Sequence, residues 1–216
     1  MSTPFKMRRK PFPEKSAVNS QQESEILALI ARLDQRDLSE RERAATQLFA
    51  RGCERARRST AGWFEDGDLA GCFVMDDSGF PRTTVGIAVG PEKFAKIREA
   101  NGRSRLADVP PDLDAEEFEL HFAGGIRLDV LTTRDPRGDG AIARFLSKRG
   151  EGIQQVELLV SHLDRATDIL RSRFGAAPVY SEGRQGADRT RVNFFLLSAG
   201  NDGKLLIELV ELPAND

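Results

Sequence analysis

A glutamate stands inside one of the most apolar runs of this 216-residue chain: "LLIELVEL" (205–212) places Glu208 between Ile207 and Leu209. Desolvating an unpaired carboxylate is costly, so Glu208 requires a cation, an arginine or a proton. Other strands carry carboxylates by alternation. "EEFELHF" (116–122) puts Phe118, Leu120 and Phe122 on one face and Glu117, Glu119 and His121 on the other. "GIRLDVL" (125–131) packs Ile126, Leu128 and Val130 and leaves Arg127 and Asp129 opposite. "IQQVELLV" (153–160) packs Gln154, Val156, Leu158 and Val160 and leaves Gln155, Glu157 and Leu159. Carboxylates crowded together raise one another's proton affinity and supply acid/base groups. Half-buried strands with one wet face give the same alternation, and Glu208 in its apolar run is the residue that argues against so bland a reading.

The totals narrow the chemistry. Histidine occurs only at His121 and His162, which excludes a zinc site built on several imidazoles. Cys53 and Cys72 are too few for a disulfide framework and lack metal-ligand spacing, so reduced, partly buried thiols are expected. With 32 basic and 34 acidic side chains the net charge is −2, which carries no footprint for nucleic acid or an anionic membrane. No apolar run reaches membrane-spanning length, and the N-terminus has no apolar signal core, so a cytoplasmic protein is expected.

The elements that must position these residues fall into three parts. Residues 1–20 form a basic, proline-bearing tail without periodicity, expected to be disordered. Residues 21–79 read as a helical extension. Ile26, Leu29, Ile30 and Leu33, then Leu48 and Phe49, mark a helix pair like one HEAT repeat. Ser39 with Glu42 makes a capping box for the second helix, and Gly52 would help to stop it. "CERARRSTAGWFEDGDL" (53–69) continues helically, and Trp63 in it should pack. One such repeat cannot bury its own face, so it must lie on the rest of the chain or on a second subunit. Residues 80–216 change pattern. "TTVGIAV" (83–89) alternates as a strand, Pro91 opens a helix ending near Gly102, and two strands turn at Ala123, Gly124 and Gly125. After a short helix and bridge the order repeats: strand 153–160, a helix capped by Ser161, then strands "APVYS", "TRVNFFLL" and "KLLIELVEL". The repeat implies an internally duplicated α+β domain with modules 80–135 and 152–212. The charged loop "GRQGADRTR" (183–191) offers Arg184, Arg189 and Arg191 to a phosphate or carboxylate, or to solvent.

The segments "IARFLSKRGEGIQQVELLVSHLDRATDIL", "RTRVNFFLL" and "LLIELVE" resemble the second half of methylmalonyl-CoA epimerases, members of the vicinal oxygen chelate superfamily that includes glyoxalase I. "TTVGIAV" resembles the family's opening strand HVAIAV, and "GIRLDVL" its strand KIELLEP. The resemblance spans residues 80–212, and "GRSRLADVPPDLD" (102–114) stands where the family has a strand.

The resemblance implies paired βαβββ modules curled around a shared cleft, here behind an N-terminal all-helical extension. It implies a divalent metal held at the positions of Thr84, Asp129, Gln155 and Glu208, where the family usually shows His, Glu or Gln, His and Glu. Both imidazoles are therefore replaced. A retained ion (Mn, Mg, Co or Ca rather than Zn) would use Asp129, Gln155 and Glu208 with His121 or Glu157 as a new partner. Glu119 and Glu208 are the candidate acid/base groups, Thr84 and Arg127 the candidate substrate contacts, and Gln154 is expected on the helix side. The implied activity is that of an epimerase-like isomerase or lyase on a small carbonyl or acyl-CoA substrate, in a homodimer. The alternative is a non-catalytic small-molecule-binding or assembly protein that kept the fold and lost the metal.

Overall fold

The computed structural model describes residues 17–200 and 203–213. Residues 1–16, the larger part of the predicted basic tail, lie outside the described residues. Helix α1 (Ala17–Ile30) and helix α2 (Leu38–Ser59) form the N-terminal pair. The expected capping box is not what starts α2. Asp37 is the N-cap, its carboxylate accepting from the Ser39 backbone N–H, so the helix begins one residue before the serine. Nor does Gly52 end α2. It lies inside the helix, where a Cβ would sit 2.5 Å from Val85 Cγ2, so its missing side chain serves close helix-to-sheet approach. Trp63 is buried and meets Phe195 edge-on at 6.1 Å. A single turn, α3 (Gly67–Ala70), leads toward the sheet.

The rest builds on a seven-stranded sheet. The first module gives β1 (Thr83–Ala88), helix α4 (Pro91–Ala100), β2 (Ala115–Phe122) and β3 (Ile126–Thr133). Helix α5 (Ala141–Arg149) bridges to β4 (Gly152–Val160), helix α6 (Leu163–Arg173), the short β5 (Arg184–Gln185), β6 (Arg191–Ser198) and β7 (Lys204–Glu211). The order is β2-β3-β1-β4-β7-β6-β5. β1 pairs with β3 in parallel, β4 with β7 in parallel, and β1 with β4 antiparallel, so the modules meet at a central seam. The expected strand at 177–181 is only a bridge between Pro178 and Phe195. The cap of α6 also differs. His162 stands at the N-cap without a side-chain bond, Ser161 bonds the Cys72 carbonyl, and Glu211 accepts from the Leu163 N–H at 3.2 Å.

One face of the sheet carries the main core. Val85, Ile87, Phe118, Leu128, Val130, Val156, Leu158, Ile207 and Leu209 pack with Phe94 and Ile97 of α4, Leu163 and Leu170 of α6, and Ile30, Ala45, Leu48 and Ala56 of the N-terminal pair. The helical extension therefore shares one apolar core with the sheet. No helix among the described residues is long and apolar enough to cross a membrane.

Candidate active site

The opposite face forms a cavity of about 680 Å³. Its lining runs from Glu117 and Glu119 on β2 to Val192 and Phe194 on β6, strands near opposite ends of the sheet order, so the sheet curls around it. Val109, Ala115, Leu131 and Ile142 of its lining form, with Ala88, an apolar cluster separate from the main core. A clamp closes one side. In the 102–114 segment, Arg105 pairs with Asp188, and the Asp108 N–H donates to Asp188 Oδ1 at 2.9 Å. The Asp188 N–H returns a bond to the Asp108 carbonyl at 3.0 Å, and Arg184 pairs with Asp112. Asp188 and Arg189 sit at φ 49° and 63°, left-handed backbone that few side chains adopt. Residues from the two modules thus meet over the cleft. The charged loop was visible in the sequence, but its partner segment was not.

Every predicted site residue lines this cavity: Thr84, Glu117, Glu119, His121, Arg127, Asp129, Gln155, Glu157 and Glu208. Pairing sets them in rows. Asp129 and Gln155 flank Gly86, while Thr84 stands opposite Glu157 and Glu157 opposite Glu208. Thr84, Asp129, Gln155 and Glu208 are all buried. Gln155 Nε2 donates to Glu208 Oε2 at 2.6 Å and to Glu157 Oε1 at 3.2 Å. Asp129 also favours the ionised form of Glu157. His121 is more peripheral, its Nε2 lying 2.9 Å from Glu119 Oε2 with both side chains well exposed.

Gln154 was expected on the helix side. The β1–β4 register slips between Gly86, opposite Gln155, and Ile87, opposite Ile153. Gln154 is the extra residue of a β-bulge, so Ile153 takes the place in the core and Gln154 joins the cavity lining. Its Oε1 is buried without a hydrogen-bond partner.

Burial sets the charge state of the cleft. It raises Glu117 to about 8, helped first by the charge of Glu157. It raises Glu157 to about 7, against the bonds from Gln155 and Asp129 and the field of Arg127, which favour the anion. Burial, then the neighbouring carboxylates, holds Asp129 and Glu208 well above the ordinary range. The cleft can store protons at neutral pH and pass them between groups that touch.

The residues do not fit the implied divalent ion as they stand. Gln155 turns its amide nitrogen, a donor, toward Glu208 and Glu157. Among the described residues, no three His, Cys, Asp or Glu side chains are grouped to hold a metal.

No protein-family model matches the chain, and no curated protein matches it. Solved structures do. Methylmalonyl-CoA epimerase from Mycobacterium tuberculosis is 34% identical over 61% of this chain and 87% of its own, with a TM-score of 0.50. A glutamine-for-glutamate variant of the Streptomyces coelicolor epimerase, in complex with 2-nitronate-propionyl-CoA, is 20% identical over 62% and 99%, at a TM-score of 0.50. A hypothetical protein, BH1468 from Bacillus halodurans C-125, is 20% identical over 62% and 94%, at 0.51. The two at 20% share the fold, whereas the mycobacterial enzyme also shares sequence across most of its length. By that relationship and by its curled sheet of two like modules, the chain belongs to the vicinal oxygen chelate superfamily, where its likeness is to the methylmalonyl-CoA epimerases.

Proposed function

We propose that the protein is an epimerase-like isomerase that removes and returns a proton beside the carbonyl of a small acyl thioester, with a coenzyme A ester as substrate. The observation that carries this is the pair Glu117 and Glu157. They lie three strands apart in the sheet order, yet the curl brings Glu117 into the field of Glu157. Inverting a carbon centre needs one group to take the proton and another to return it from the opposite side, each with a pKa near the working pH. Glu157, the lower of the two, is the base; Glu117, at about 8, is the acid.

The other residues take supporting roles. Arg127, whose charge lowers the Glu157 pKa, would face the enolate oxygen. Thr84, opposite Glu157, contacts the substrate from the cleft floor. Glu208, held by Gln155, stays within the proton-holding set, and Glu119 stands at the rim beside His121.

The test is proton exchange. Incubated in D2O with methylmalonyl-CoA or another α-branched acyl-CoA, the enzyme should incorporate deuterium at the α-carbon. Glu157→Gln and Glu117→Gln should each slow this by about 100-fold or more. A chain that binds acyl-CoA thioesters with no exchange would refute the isomerase and favour the alternative, a binding protein. That alternative draws on the Gln155–Glu208 bond, which occupies part of the cleft with the protein's own side chain.

A further inference from the structure

We infer that Gly86 and Gln155 form a unit that puts a side-chain amide where the superfamily's cation would lie, making the cleft independent of metal. The claim uses the proposed function only to identify the cleft as the reacting site, and it stands on geometry. Gly86 lies directly opposite Gln155 on the neighbouring strand. A Cβ at Gly86 would lie 2.5 Å from Gln155 Cγ and 3.3 Å from its Cδ, and 3.2 Å from Leu131 Cδ1. The Gln155 side chain thus leans across the bare backbone of β1, a path that any side chain at position 86 would block. From there its Nε2 reaches Glu208 on one flank and Glu157 on its own strand.

Both amide hydrogens are therefore directed at carboxylate oxygens. An amide nitrogen has two hydrogens and no lone pair to give a metal, so in this pose it acts as donor alone. It gives two cleft carboxylates hydrogen-bond donors where a cation would give them positive charge, and it does so from between the two strands that carry Asp129 and Glu208. The bulge at Gln154 contributes by shifting the register beside Gly86, which fixes Gln155 opposite the glycine. Gln155 and Gly86 are positioning residues: the first holds two carboxylates, and the second holds the first.

Two measurements on the full chain test this, neither of which depends on turnover. The first is a Co2+ titration followed by absorbance and by Tm. The wild type should show no saturable Co2+ band and no rise in Tm up to about 1 mM, since an ion specific to the native state must stabilise it. Thr84→His with Gln155→His, which returns two imidazoles, should gain both signals. Saturable Co2+ binding by the wild type, lost in Glu208→Gln, would overturn the inference while leaving the isomerase intact. The second is a double-mutant cycle on Tm. Gly86→Ala should lower Tm in the wild type and have much less effect in a Gln155→Ala background, because the obstructed atoms are those of Gln155. An equal loss in both backgrounds would show that Gly86 does not act through Gln155. Failure of deuterium exchange with both of these results upheld would sink the isomerase alone.

Discussion

Each carboxylate of the cleft behaves according to what surrounds it. Glu92 on α4 and Glu99 near its end are exposed and paired with Lys96 and Arg103, whose hydrogen bonds hold them below their ordinary value. Glu157 and Glu117 face other carboxylates in a desolvated wall and move the opposite way. If Glu157 must be ionised and Glu117 protonated, the exchange rate should rise with pH through about 7 and fall through about 8. A pH profile of deuterium incorporation reads both limbs. Arg127→Ala should move the acidic limb to higher pH, because the guanidinium favours the ionised form of Glu157. A limb that stays in place would show that Glu157 is not the base being titrated.

At the scale of elements, α2 is the support behind the chemistry. It lies against the central strands from the side opposite the cleft, and at Gly52 its backbone comes close enough to Val85 to leave no room for a methyl group. Gly52→Ala should destabilise the protein by about 1–3 kcal/mol, the usual cost of overpacking, measured by urea denaturation. Val85→Ala should recover much of that loss, and no recovery would mean that another contact sets the distance. Sequence alternation located the strands and the two faces of most of them because each strand has one face against helices and one in the cleft. It misplaced Gln154, since a bulge inverts the period of two and leaves no mark in residue type. The cap at Asp37 escaped because aspartate and serine two residues apart both fit a helix start, and only backbone geometry chooses. The clamp between Arg105 and Asp188 joins residues 83 apart in the chain, a pairing that charge alone does not specify. Gln155 was legible as a departure from the family's pattern, but the course of its side chain across the unsubstituted Gly86 was not.

For the molecule as a whole, the cleft carries a stability cost that grows with pH. Glu117 and Glu157 titrate at about 8 and about 7 in the folded protein, against an ordinary value of 4.5, and Asp129 and Glu208 shift the same way. The folded state therefore binds more protons than the unfolded chain above pH 4.5, so stability falls as pH rises. Their contribution is fully present below 4.5 and is lost as pH climbs through about 7 and then about 8. Surface carboxylates oppose this at the acid end. Asp66, held down by Arg173, and Asp188, held down by Arg105, contribute stability above their unfolded values and lose it as pH falls through the folded ones. The two trends predict a maximum on the acidic side, near about pH 5, and a loss on the order of a few kcal/mol by about pH 9. Urea denaturation across that range checks the slope. Glu117→Gln with Glu157→Gln should flatten the alkaline side, because two of the groups that must ionise inside the fold are gone. A wild-type profile flat from about pH 5 to 9, unchanged in that double variant, would mean the buried carboxylates are already neutralised by something other than shared protons, and a bound cation would then be the first partner to seek.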